Sequence, residues 1–183
     1  MMDYYVVSTS DGEFGGICEV MGEGGIPLDQ LSDVANSNLM TYWDETFRGF
    51  GDLVSVGGGG RPMAVSRRVV AAIAGLELPP GTILKGLSVH EDVGRPIMEE
   101  LTAIIFRESP LLLSDHDREI FLSGGLDRLD SGVLDRISLE SRVIPSADLF
   151  VGSAPLCCCS DRFRDVVEAN GLSNFHFSRI RIR

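Results

Sequence analysis

One short pattern occurs twice in this chain and constrains its fold more than any other sequence feature. Each copy consists of an apolar run, a serine, a stretch of helical period and a Gly-Leu pair, and the copies span residues 62–76 and 155–172. A serine directly before a helical stretch favours an N-cap, and a glycine directly after it favours a helix stop. The sequence therefore predicts two strand–Ser-cap–helix units.

The apolar positions within the two units have helical spacing, with one buried face and one wet face. In the C-terminal unit, Ser160 is the predicted cap and the buried positions are Phe163, Val166 and Val167. In the middle unit, the corresponding residues are Ser66, Val69, Ile73 and Leu76. The middle unit is two residues shorter between serine and glycine. Both duplication and convergence on one local device therefore stay open.

The rest of the chain predicts a single α+β domain over residues 1–183, with a mixed or mainly antiparallel sheet flanked by helices. Alternating apolar residues predict strands at 4–8, 17–21, 53–56, 82–90 and in a terminal region around 175–182. Helical spacing predicts helices at 28–35, at 96–108, from Ser114, and at 127–136. Residues 39–50 fit either a strand or irregular packing, and residues 91–140 form a more helical, acidic segment.

Charge excludes several classes of partner. The 183 residues carry 27 acidic and 16 basic side chains, for a net charge of −11. Such a balance disfavours nucleic acid and anionic membrane surfaces and favours a basic partner. No apolar run is long enough to span a membrane, and the first residues lack the basic region and apolar core of a signal peptide. We therefore expect a cytoplasmic protein.

Several groups resemble sites, but their spacing favours structural roles. The run Gly57–Gly60 lacks the Lys-Ser/Thr of a phosphate-binding loop and predicts a turn. The run Cys157–Cys159 has no second Cys/His pair at zinc spacing and predicts core packing, with Cys157 and Cys159 on one face of a strand. His90, His116 and His176 are scattered. The sequence predicts no catalytic residue, no metal ligand and no cofactor.

About half of the chain resembles a large family of bacterial immunity proteins, which accompany polymorphic or contact-delivered toxins, including type VI secretion effectors. Residues 146–175, with Ser160-Asp161-Arg162-Phe163-Arg164-Asp165-Val166-Val167-Glu168 at their centre, resemble the closing segment of that family. Residues 62–70 resemble its middle segment, and the opening Tyr4-Tyr5-Val6-Val7 is also similar. The resemblance implies a non-catalytic protein that binds a toxin and blocks it.

Acidic side chains are the sequence's candidates for binding such a toxin, by charge complementarity and steric occlusion. If the toxin is a nuclease, they would mimic phosphates in its basic groove. The candidates are Asp44, Glu45, Glu91, Asp92, Asp115, Asp117, Glu119, Asp127 and Asp130. Two alternatives stay open: a small cytoplasmic enzyme of unknown type with His116, Asp115 or Cys159 in its site, and a regulatory binding protein with no toxin.

Overall fold

The structure is α+β and contains two α-helices and two sheets within the residues that it describes. It is a computed structural model that describes residues 3–9, 20–42, 51–56, 63–90, 96–106, 138–139, 146–151 and 157–182. Helix α1 spans Arg67–Ala72 and continues as a 3-10 turn at Ile73–Gly75, and helix α2 spans Asp161–Ala169. A further 3-10 turn lies at Leu28–Gln30.

Twelve strands make up the two sheets of the described ranges. They are β1 (Tyr4–Thr9), β2 (Met21–Gly22), β3 (Ile26–Pro27), β4 (Leu39–Tyr42), β5 (Leu53–Val56), β6 (Met63–Ser66), β7 (Ile83–His90), β8 (Pro96–Ile105), β9 (Ser138–Leu139), β10 (Leu149–Val151), β11 (Cys157–Ser160) and β12 (Phe175–Ile182). The orders are β10-β11-β1-β12-β9 and β3-β2-β4-β7-β8-β6-β5. The pairs β4·β7 and β9·β12 are parallel and the other pairs antiparallel, so both sheets are mixed.

The two sheets contain the same five-stranded unit. In chain order, β1-β4-β5-β6-α1-β7 makes a first half, residues 4–90, and β8-β9-β10-β11-α2-β12 makes a second half, residues 96–182. The sheet orders β4-β7-β8-β6-β5 and β9-β12-β1-β11-β10 correspond strand for strand. The central strand of each unit, β8 or β1, thus comes from the other half. Strands β2 and β3 extend the first unit alone.

The registers of the two units also correspond. The serine before each helix lies opposite the central strand, with Ser66 paired to Leu101 and Ser160 paired to Tyr4. In the neighbouring pairs, Leu53 lies opposite Val65 and Leu149 lies opposite Cys159. Agreement in strand order, direction and register favours duplication over convergence for the repeated sequence pattern.

Equivalent positions of the two halves meet in one shared hydrophobic core. Its equivalent pairs are Leu53/Leu149, Met63/Cys157, Val65/Cys159, Val69/Phe163, Ile73/Val167 and Ile104/Val7. The stripes predicted on the two helices therefore face this core, although Val166 is only half-buried. On the other side of the seven-stranded sheet, Leu28, Leu31 and Val34 pack against a second cluster that includes Val54 and Leu87.

Two predicted helices are wrong. Residues 96–105 form strand β8, which pairs with both β6 and β7. Leu101 and Ala103 belong to one core cluster and Ile104 to the other. A strand buried on both faces loses its alternating pattern and can mimic helical spacing. The helix predicted at 28–35 is reduced to the 3-10 turn at its start, and residues 31–38 form no helix.

The remaining predictions have mixed outcomes. The ambiguous segment 39–50 begins with strand β4, and its residues 43–50 lie outside the described part. The segment 91–140 is not helical where it is described, since 96–105 and 138–139 are strands. The helices predicted from Ser114 and at 127–136, most of the strand at 17–21 and the turn at Gly57–Gly60 fall outside the described residues.

Candidate interaction surface

A buried aspartate anchors the middle strand–helix unit. Asp52 precedes β5 and is 5% exposed. Its carboxylate accepts hydrogen bonds from the Ser66 hydroxyl at 2.6 Å, the Ser173 amide at 2.9 Å and the Arg68 guanidinium at 3.0 Å. Burial alone would raise the pKa of Asp52, but the bonds from Ser66 and Ser173 and the Arg68 charge hold that pKa below its usual value. Asp52 is therefore an ionised structural anchor.

Asp148 occupies the equivalent position in the second half and has equivalent partners. It precedes β10 and is 4% exposed. Its carboxylate accepts hydrogen bonds from the Ser160 hydroxyl at 2.7 Å, the Glu77 amide at 2.9 Å and the Arg162 guanidinium at 3.4 Å. The backbone amide that bonds to each aspartate comes from the segment after the helix of the opposite half. Ser173, after α2, bonds to Asp52, and Glu77, after α1, bonds to Asp148. Each aspartate thus joins both halves of the chain.

The arginines complete this reciprocal arrangement. Arg68 of α1 also donates to the carbonyl of Asn170 at the end of α2, at 3.1 Å. Arg162 of α2 donates to the carbonyl of Gly75 at the end of α1, at 3.0 Å. These bonds satisfy carbonyls that a helix C-terminus leaves open. The two Asp–Ser–Arg networks therefore fix the helices against each other, and their role is structural.

The sequence predicted the serines but not the aspartates. Ser160 caps α2 as expected, since its hydroxyl accepts a bond from the Phe163 amide at 3.3 Å. Ser66 occupies the N-cap position of α1 as predicted, but its hydroxyl makes no cap bond and donates to Asp52 instead. A signal for the networks was present, because both units contain Ser-x-Arg and an Asp-Leu pair at the start of the preceding apolar strand. The helix ends also differ, as Gly171 adopts a positive φ of 56° and Gly75 does not.

The three adjacent cysteines are core residues, as predicted. Cys157 and Cys159 face the shared core, and Cys158 is buried as well. Burial raises the pKa of Cys158 to about 12 and that of Cys157 and Cys159 well above the usual range. Thiols in this state remain protonated and behave as small apolar groups. Cys159, named in the enzyme alternative, is therefore enclosed and not activated.

Positive charge at the described surface is engaged by groups of the protein itself. Arginine–carboxylate ion pairs join Arg67 to Glu100, Arg68 to Asp52, Arg162 to Asp148, Arg164 to Asp165 and Glu168, and Arg179 to Asp3. Lys85, the single lysine of the chain, donates to the Ala35 carbonyl at 2.6 Å. Six basic side chains in the described part thus bond to groups of the protein itself.

The acidic candidates predicted from sequence lie outside the described part of the chain. All nine lie in residues 43–50, 91–95 and 107–137, outside the described ranges, as does His116. Of the other histidines, His90 ends β7 beside the Tyr42 ring, with 6.2 Å between ring centroids, and His176 is exposed on β12.

A cleft of about 420 Å³ opens where β4 begins beside β7. It is lined by Glu23, Asn38, Leu39, Met40, Lys85, Gly86, Ser88 and His90. Strand β4 starts opposite Leu87, so no residue of β4 lies opposite the preceding part of β7. Glu23 accepts a hydrogen bond from the Asn38 side-chain amide at 3.1 Å. Sequence reasoning missed this cleft because its residues come from three separate segments.

Leu84 extends the cleft with exposed apolar surface. It lies on β7 two residues before Gly86, on the same face of the strand, and is 45% exposed. Lys85, which stands between Leu84 and Gly86, points to the opposite face of β7, the face that carries Leu87 and Val89 of the second hydrophobic cluster. Its ammonium is thereby directed to Ala35, away from the face that carries Leu84 and Gly86. The open face thus combines apolar surface with the Glu23 carboxylate.

Comparisons with known proteins do not assign a family. No protein-family model matches the chain, and a comparison with the curated proteins finds no match. The resemblance to immunity proteins therefore stays a prediction from sequence. None of the helices in the described ranges has the length and apolar character needed to cross a membrane.

Proposed function

We propose that the protein is a bacterial immunity protein that binds a cognate toxin in the cytoplasm and occludes its functional surface. The observation that carries the proposal is the charge balance. The chain has a net charge of −11, and six basic side chains of its described part bond to groups of the protein itself. Such a protein attracts a basic partner and accelerates its association.

The position of the resembling segments adds support. Residues 62–70 and 146–175 carry the likeness to immunity proteins and contain the serine and arginine of both networks, together with Asp148. These residues are framework rather than chemistry, since their polar groups bond to each other. A rigid framework suits a protein that acts by stoichiometric binding, because a partner then loses little conformational freedom on docking. Self-protection requires a dissociation constant in the nanomolar range or below, about −12 kcal/mol.

The test is co-expression of the protein with the product of the adjacent gene. We expect a stable complex that survives purification, and rescue of growth when the neighbour is toxic. The association rate should fall steeply between low and physiological salt, because screening weakens electrostatic steering. A basic protein of similar size from an unrelated source is the control and should give no complex. Absence of both complex and rescue would contradict the proposal.

A second experiment tests the acidic candidates. Reversing Asp115, Asp117 and Glu119 together, and separately Asp127 with Asp130, should slow association with the toxin. Each reversal adds positive charge to one region only. The group of reversals that slows association therefore identifies the region that contacts the toxin. Unchanged association for every group, including Asp44 with Glu45 and Glu91 with Asp92, would contradict their role in toxin binding.

A further inference from the structure

The duplication provides an internal reference for the β4–β7 cleft. Tyr5 of β1 and Thr102 of β8 are equivalent, because Ser160 pairs with Tyr4 and Ser66 with Leu101. Tyr5 lies opposite Arg179, and Thr102 lies opposite Gly86. Arg179 is therefore the second-half counterpart of Gly86. By the same register, Phe177 is the counterpart of Leu84.

The second half fills this position and the first half leaves it open. Phe177 packs beside Tyr5 and Phe163, with ring centroids 6.3 and 6.4 Å apart. Arg179 extends over the strand and makes an ion pair with Asp3 at 2.7 Å. In the first half, Leu84 is smaller than its counterpart and remains 45% exposed, and Gly86 contributes no side chain. At these two positions the second half therefore carries two large side chains, where the first half carries one exposed leucine and no second side chain.

The charge at the cleft indicates what enters it. Glu23 is exposed at the rim, where its carboxylate accepts a hydrogen bond from the uncharged Asn38 amide. Among the described lining residues, Lys85 carries a positive charge, and its ammonium donates to the Ala35 carbonyl. Met40, which is half-buried, supplies an apolar wall, while the Leu39 side chain packs in the second hydrophobic cluster on the other face. An apolar wall that ends at a carboxylate suits a side chain with an aliphatic stem and a cationic head.

We infer that the toxin places an arginine or lysine side chain in the β4–β7 cleft, with its stem over Met40 and its cationic head at the Glu23 carboxylate. The inference rests on the proposed function and assigns it a docking face. The incoming side chain lies on the same face of the strand as Arg179 does in the second half, but on the β4 side, whereas Arg179 turns toward Asp3 beside the central strand. Leu84 then covers an adjacent apolar part of the toxin surface.

The main test is Gly86→Arg, which gives the first half the residue that the second half carries. A Cβ atom at Gly86 meets no atom within 4 Å, so the fold accommodates the new side chain while the cleft is blocked. Gly75→Arg is the matched control, because its Cβ also meets nothing within 4 Å and it lies at the end of α1. Both variants should unfold in urea at the wild-type midpoint. Affinity for the adjacent gene product should fall about 100-fold for Gly86→Arg and less than about threefold for Gly75→Arg.

Glu23→Gln tests the charge without blocking the cleft. The glutamine oxygen still accepts the Asn38 bond, so only the charge is lost. We expect about tenfold weaker binding and a weaker dependence of association on salt. A wild-type complex that Gly86→Arg and Glu23→Gln both leave intact would overturn the docking site and leave the proposed function standing. No complex with the wild type would overturn both.

Discussion

The two halves of the molecule have the same strand order and the same Asp–Ser–Arg network, but they differ in the apolar side chains of the core. Both place an aspartate before a strand, a serine before a helix and an arginine two residues later, and these groups bond in the same pattern. The core side chains differ: Val69 in the first half corresponds to Phe163 in the second, and Met63 corresponds to Cys157. Polar groups with several fixed partners cannot be exchanged singly, whereas apolar groups can be traded if total volume is kept.

The halves also depend on each other. Each five-stranded unit receives its central strand from the other half, and each aspartate accepts an amide bond from beyond the opposite helix. Neither half can therefore unfold while the other stays folded, even if their stabilities differ. We expect one cooperative transition for the described core, and the variants below are compared on that basis.

Removing either aspartate should have the largest effect. Asp52→Ala and Asp148→Ala each leave a serine hydroxyl, a backbone amide and an arginine without their acceptor. We expect each variant to lose about 3–5 kcal/mol in the free energy of unfolding, measured by urea denaturation. Glu168→Ala, at an exposed position, is the control and should change it by less than about 0.5 kcal/mol. A large loss for one aspartate and none for the other would break the equivalence of the networks.

A smaller effect is expected at Cys159, the counterpart of Val65. Cys159→Val introduces the residue of the first half and should change the free energy of unfolding by less than about 1.5 kcal/mol. Cys159→Ser puts a hydroxyl among apolar groups and should cost about 1–3 kcal/mol. If valine were as damaging as serine, the shared core would not tolerate exchange between the halves. Urea titrations of both variants decide this.

Low pH should weaken the Asp52 network. The folded-state pKa of Asp52 is lowered, so its ionised form stabilises the protein above the ordinary Asp pKa near 4, and that stability is lost as pH falls through the folded pKa. The difference in unfolding free energy between wild type and Asp52→Asn should therefore be largest near neutral pH and shrink below about pH 4. A difference that stays constant from pH 7 to pH 3 would show that ionisation of Asp52 contributes nothing.

Local signals were sufficient for the two strand–helix units and insufficient for their connections. The α2 cap at Ser160 and the buried face with Phe163 follow from near neighbours, so the sequence predicted them. Strand β8 was assigned as a helix because its two faces are both buried and its period is obscured. The aspartate networks and the cleft join residues far apart in the chain, as Asp52 with Ser173. The repeated Asp-Leu and Ser-x-Arg patterns mark members of the networks, but no local pattern specifies which distant residues pair.

The smallest effect is expected from a circular permutant, which tests the duplication as a whole. Strand β12 pairs antiparallel with β1, as β7 pairs with β8, so the C-terminal end of β12 and the start of β1 correspond to the β7–β8 connection. Joining residue 183 to residue 1 through a short linker and opening the chain between residues 91 and 95 should retain the fold, with a loss of about 1 kcal/mol or less in unfolding free energy.

The control for the permutant opens the chain inside β8, between Thr102 and Ala103. This break divides the central strand of the seven-stranded sheet, which pairs with β6 and β7 on its two sides. It should abolish cooperative unfolding because neither fragment of the strand can hold both neighbours in register. If the 91–95 permutant failed as completely as this control, the two strand connections would not be equivalent. The duplication would then extend to sheet order but not to the connection that closes each unit.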